Sequence, residues 1–319
     1  MPTQRPFRFG IINEQMGDAA SWLARARHAE ALGYATFLLR DHFVTEPFGA
    51  QFAPLVALTA AACATTRLRV GTLVFDNDYR HPVMLAKEAA TLDLLSGGRL
   101  ELGIGAGWLR AEYEAAGMTY DPNGIRVDRL AEALTVIKGL FADEPLTFAG
   151  EHYRVTNLNS FPKPVQRPGP PILIGAGKRR MLQLAGQHAD IVGFLTTSVA
   201  SGALHDDPTE RLATAVEQKI AWVREGAGCR FAEIELSLIP SIIVTDDREG
   251  AAEQLIREHG WSGISPEQVW AMPAVLIGTI PEIIETLQTR RERYGFSYYV
   301  IADAQLDACA PLVSTLAGQ

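Results

Sequence analysis

Leu68-Arg-Val-Gly-Thr-Leu-Val-Phe75, a helical run over 82–95, the turn Ser96-Gly-Gly-Arg99 and then Leu100-Glu-Leu-Gly-Ile-Gly105 make one strand–helix–strand unit. Pro82 stands where the first turn of a helix tolerates proline, and the glycine pair ends the helix. A crossover of this length joins parallel strands, so the unit points to an α/β fold. It recurs in both directions. Upstream, strand 7–12 precedes helix 18–32, which Gly33 stops, and strand 35–39 precedes helix 52–64. Downstream, strands are read at 172–174, 190–195, 235–244 and 297–301, each with helical runs behind it, and 146–155 reads as a hairpin. The runs at 172–174 and 191–195 are apolar without alternation, as parallel strands covered on both faces are. Eight such units predict a (β/α)8 TIM barrel with insertions. The alternative, a doubly wound open sheet, usually carries G-x-G-x-x-G after its first strand, whereas Ile12-Asn-Glu-Gln-Met-Gly17 does not. The five prolines of 162–171 read as an extended connector inside one domain covering 1–319.

Composition narrows the function classes. The chain has 319 residues, is 47% apolar and 21% charged, and carries a net charge of −8. These values are globular, and the acidic balance with no local basic patch argues against nucleic acid. No uninterrupted apolar window of about 18 residues exists to span a membrane. The N-terminus shows no charged region followed by an apolar one, so no secretory signal is expected. Cys63, Cys229 and Cys309 form no CxxC or Cys/His set, which suits reduced thiols in a cytoplasmic protein without a bound metal.

In a barrel, chemistry gathers at the C-terminal strand ends. Asn13 follows the first strand. Asp41-His42-Phe43 follows the second, placing a carboxylate beside an imidazole able to move a proton. Thr72, Leu73, Val74 and Asp76 end the third, and Gly105-Ala106-Gly107-Trp108 the fourth, where glycines let a flat ligand lie against backbone. Gly175-Ala176-Gly177-Lys178-Arg179 opens a helix after the fifth, a pattern suited to a phosphate. Arg80-His81-Pro82 reads as the start of a helix, and no metalloprotease, nucleophile-elbow or Walker motif is present.

The run from Tyr79 through Arg80-His81-Pro82 and Ser96-Gly-Gly-Arg99 to Gly105-Ala-Gly-Trp108 resembles the luciferase-like monooxygenase family. So do Ala29-Glu-Ala-Leu-Gly-Tyr34, Pro170-Pro-Ile-Leu-Ile-Gly-Ala-Gly177 and Leu276-Ile-Gly-Thr-Ile-Pro281. The likeness covers nearly the whole chain and implies a (β/α)8 barrel with insertions. It also implies an oxidoreductase using the deazaflavin coenzyme F420, or FMN in a monooxygenase supplied by a partner reductase. The chain is most similar to the deazaflavin branch. That branch implies a non-proline cis peptide at Leu73–Val74 behind the coenzyme ring. It further implies His42, with Asp41, as the proton-handling group, and Gly175–Lys178 near the coenzyme phosphate. Thr72, Asp76, Gly105, Ala106, Gly107 and Arg179 complete the expected coenzyme contacts; Asn13, Phe43 and Trp108 are expected at the substrate. Sugar-phosphate dehydrogenases of the branch carry a glutamate where Trp108 stands, with Glu112 and Glu114 further on. That departure favours a small apolar or aromatic substrate. A homodimer is the expected assembly.

Overall fold

In the computed structural model, residues 4–14, 16–197, 199 and 201–319 are described. The strands are β1 (Arg8–Ile12), β2 (Thr36–Leu39), β3 (Arg69–Thr72), β4 (Phe75–Asp76), β5 (Leu100–Gly105), β6 (Leu146–Ala149), β7 (Arg154–Leu158), β8 (Ile172–Ala176), β9 (Ile191–Phe194), β10 (Glu235–Leu238), β11 (Ser241–Val244), β12 (Val275–Gly278) and β13 (Phe296–Ala302). β1 pairs in parallel with both β2 and β13, and the order continues through β10, β9 and β8 to β5. β5 then pairs with β3 and β4, which closes the barrel. β3 and β4 are two halves of one staves-like position, so eight strand positions form the wall, as the alternation predicts.

Period-two alternation sorts side chains between two layers. Ile12, Leu38, Leu173, Ile191, Tyr298 and Val300 fill the barrel interior, with Leu73 and Val74 against them. Phe9, Ile11, Phe37, Leu39, Tyr299 and Ile301 face the surrounding helices. The interior is tight enough that a Cβ on Gly10 would lie 2.9 Å from the Tyr298 hydroxyl.

Some elements differ from the reading of the sequence. The run at 235–244 is two strands, because the chain leaves the barrel after Leu238 and β11 pairs with β12 in a separate two-stranded sheet. β12 was not expected as a strand; it packs with Leu255, Trp261, Val269 and Met272 in a small second core. The stretch after Trp108 holds a short helix, Arg110–Ala115. The hairpin at β6 and β7 and the element-free connector over 162–171 stand as read.

Candidate functional site

The C-terminal strand ends bring His42, Leu73, Val74, Trp108 and the start of helix Arg179–His188 to one mouth. His42 follows β2, and its Nδ1–H donates to Glu112 Oε2 at 2.9 Å. Glu112, 1% exposed, also receives the Tyr79 hydroxyl at 2.9 Å, the Val44 N–H at 3.2 Å and the Phe43 N–H. Burial pushes this carboxyl upward, but the bonds from His42, Phe43 and Tyr79 outweigh it and hold it below the usual carboxylate range. Glu112 therefore stays ionised and fixes the tautomer of His42, leaving Nε2 for an incoming group. The imidazole stands edge-on to Trp108, centroids 5.8 Å apart, and tilted on Phe48 at 5.5 Å.

Asp41 does not orient His42. It pairs with Arg80, Oδ2 to Nη1 at 2.5 Å and Oδ1 to Nη2 at 3.1 Å, and accepts the Asp76 N–H at 3.2 Å. Successive residues leaving a strand diverge, so neighbours in sequence part here. Asp76 is buried and its carboxyl is pushed up to about 7, first by burial and further by the charges of Asp78 and Asp41, against bonds from the Asp78 N–H and the Tyr113 hydroxyl.

The third-strand position is broken by a cis Leu73–Val74 peptide. Gly105 makes room for it, since a Cβ there would lie 2.8 Å from a Val74 methyl; Cβ atoms on Gly175 and Gly193 would stand in ordinary contact, 3.6 Å from Val74 and 3.8 Å from Leu73. Thr72 is buried and its hydroxyl donates to Gly103 O at 2.7 Å. Gly107 has a left-handed φ of 73°, and the space of its missing Cβ is filled by the Tyr113 hydroxyl and Asp76. Ala106 is part-buried behind this turn.

Gly175, Ala176 and Gly177 lead from β8 into helix Arg179–His188, whose first turn holds no acid and whose cap, Lys178, makes no side-chain cap bond. The free N–H groups suit an anion. The cations themselves are engaged: Lys178 with Glu210 at 2.5 Å, Arg179 with Glu225 at 3.2 Å, and Arg180 with Asp128. Asn13 is buried, accepting from Trp22 Nε1 at 2.6 Å and donating to Asp303 at 2.5 Å. Phe43, 59% exposed, stacks on Tyr79 at 4.5 Å, and the ring beside His42 is that of Phe48, at 5.5 Å. Nothing local in the sequence marks Glu112 or Phe48 as neighbours of His42. Two clefts of about 440 and 430 Å³ lie elsewhere, one at the N-terminal end beside Arg8 and Gly318, the other beside Trp270 and Arg290. Among the described residues no His/Cys/Asp/Glu group suits a metal, and no helix is long and apolar enough to cross a membrane.

The closed parallel barrel thus brings a carboxylate-held imidazole, the Leu73–Val74 bulge and a helix start without a side-chain cap to one mouth. Residues 5–295 match the model of the luciferase-like monooxygenase family, and the chain belongs to that family. It is 33% identical to an F420-dependent glucose-6-phosphate dehydrogenase of Microbacterium testaceum, over 68% of this chain and 63% of that one. It is 28% identical to an FMNH(2)-dependent dimethylsulfone monooxygenase of Pseudomonas putida, over 57% and 51%. The chain thus spans less than two thirds of either relative. In fold it is similar to the coenzyme F420-dependent tetrahydromethanopterin reductase of Methanopyrus kandleri, with a TM-score of 0.74, 18% identity, and 96% and 98% of the two chains covered.

Proposed function

We propose that this protein is an F420-dependent oxidoreductase that moves a hydride between the deazaflavin and a small apolar or aromatic organic substrate. The observation that carries the reading is His42, held by Glu112 and walled by Trp108 and Phe48, at the same mouth as the Leu73–Val74 bulge. The glycine-cleared bulge and the acid-free helix start fit a planar ring and a phosphate respectively. The coenzyme, when bound, supplies the hydride donor or acceptor carbon. The chain does the rest. Backbone N–H groups at Lys178–Arg180 hold the anionic end, and Leu73 and Val74, with Gly105 and Gly175 beneath, support the ring. His42 Nε2 gives or takes the proton at the substrate oxygen whose charge changes as the carbon is reduced or oxidised. Trp108 and Phe48 exclude water from that step.

An uncharged substrate suits the aromatic walls of Trp108 and Phe48 beside His42; the cations beside β8 and β9 are engaged, with Lys178 and Lys219 sharing Glu210 and Arg211 on Asp206. The monooxygenase relative keeps a second reading in view, with reduced FMN from a partner reductase in place of F420. Pairing of two copies belongs to the same reading, supported by Val56, Met84 and Leu95, which helices Pro54–Ala64 and Pro82–Ser96 leave exposed. Titration with F420 and with FMN, oxygen uptake followed in parallel, tests the assignment. F420 is expected to bind without oxygen consumption. Binding of FMN alone, with oxygen uptake on reduction, would replace the first reading by the second.

A further inference from the structure

Arg126 enters the site from helix Asn123–Phe141 and is 3% exposed. Its Nη1 donates to Ala106 O at 3.1 Å and to Gly107 O. Its Nε donates to Asp121 O at 3.0 Å, and its Nη2 to the Tyr120 hydroxyl at 3.0 Å and to Asn123 Oδ1. The Tyr120 hydroxyl in turn donates to Trp108 O at 2.9 Å. Three successive carbonyls, those of Ala106, Gly107 and Trp108, are thereby tied to one guanidinium, the third through Tyr120.

The bracket is closed on its other sides. The guanidinium groups of Arg126 and Arg110 stand over the Tyr120 ring at 4.2 and 4.6 Å from its centroid, and the ring is T-shaped to Tyr113 at 5.1 Å. Beneath the turn, Tyr113 and Asp76 fill the space under Gly107. A buried guanidinium is costly unless its donors are used, and its rigid planar fork fixes the directions of what it binds. Here the fork grips one loop, and the residue at the end of that loop is Trp108, whose ring meets His42 and Phe48.

We infer that Arg126, acting through Tyr120, is a positioning residue: it sets the Ala106–Trp108 loop so that Trp108 stands against the His42 imidazole as the substrate wall. The inference rests on reading this mouth as the reaction site, but its test needs no coenzyme. The imidazole C–H resonance of His42, identified by its loss in His42→Ala, lies within the ring-current field of Trp108, the two rings standing at 85° with centroids 5.8 Å apart, and reports its placement. Tyr120→Phe deletes the relay itself, the bond from Arg126 Nη2 and the link to Trp108 O, and keeps the aromatic ring beside its two arginines. It is expected to shift the His42 resonance in a protein of unchanged melting temperature, and to have no such effect in a Trp108→Ala background. Arg126→Lys, which keeps the charge and loses the fork, is expected to shift it in the same direction. An unmoved resonance in folded Tyr120→Phe, or a shift that persists without Trp108, overturns the inference. If Arg126→Lys fails to fold, the Tyr120→Phe cycle decides alone. Absence of F420 binding by the wild type would sink the proposed function and leave this result standing.

Discussion

His42 Nδ1–H, the Tyr79 hydroxyl and the backbone N–H groups of Phe43 and Val44 converge on the two oxygens of Glu112. The carboxylate is therefore saturated and ionised, and its orienting bond to His42 is charge-assisted. Glu112→Gln keeps the shape but offers an amide that cannot accept at both ends. Turnover is expected to fall by about 10²-fold or more, the scale of losing a positioned acid–base group. Asp41→Asn, acting on Arg80 and the Asp76 N–H, is expected to lower the melting temperature more than Glu112→Gln does. Steady-state turnover and melting curves on the two variants distinguish these roles; equal turnover losses would return Asp41 to the proton chemistry. His42 was legible in the chain because strand ends are where barrels do chemistry. Its partner was not, since Glu112 reaches it from a helix 70 residues away, and only the closed barrel makes them neighbours.

Gly103 shows how one element dictates another. A Cβ there would lie 1.8 Å from Thr72 O, a backbone atom that cannot move without parting β3 from β5. The bulge that follows Thr72 thus needs this glycine in the neighbouring strand as well as Gly105 beneath it. Gly103→Ala is expected to destabilise by about 1–3 kcal/mol or more, the usual scale of overpacking. It should also disturb the Leu73–Val74 segment, so coenzyme binding should weaken in whatever fraction folds. Urea unfolding with a parallel titration checks both; a variant of wild-type stability would show that the wall gives way without cost. The alternation of β runs and helices carried the eight strand positions because each short run rich in apolar residues is followed by a helical stretch long enough to cross back over the wall. It could not carry the departure of β11 from the barrel. Ser241–Val244 is as branched as any wall strand, and its partner β12 lies beyond two helices. Nor could it show that Lys178, Arg179 and Arg180 are spent on Glu210, Glu225 and Asp128, because ion pairs across helices leave no local pattern.

At the scale of the molecule, the end of the barrel opposite the site is closed by one polar layer. Glu101 of β5 meets Arg8 of β1 at 2.5 Å and Arg69 of β3 at 2.8 Å, and accepts weakly from Thr36 of β2 and Tyr298 of β13 at 3.3 Å each. Arg8 goes on to Glu235 of β10 at 2.6 Å and lies 3.6 Å over the Tyr298 ring. Six wall strands are joined through two side chains, so the layer acts on closure rather than on any single pairing. Burial alone would push the Glu101 carboxyl up; Arg8 and Arg69 outweigh it and hold it below the ordinary value. The sign of the pH effect follows. A carboxyl lowered by folding contributes stability that is fully present above its unfolded value, about 4.3, and is lost as pH falls through the folded value. Glu101→Gln leaves part-exposed Arg69 without its carboxylate and Arg8 with Glu235 alone, so the deficit should fall below the roughly 3–5 kcal/mol of breaking a fully buried pair. Denaturant midpoints are expected to show that deficit unchanged between pH 7 and 5 and shrinking below about pH 4, where the wild type loses the same charge. The lining of the mouth is untouched, so coenzyme affinity in the folded variant should equal that of the wild type. A deficit independent of pH down to acid unfolding would mean that Glu101 closes the barrel by shape and hydrogen bonding, and that its charge contributes nothing.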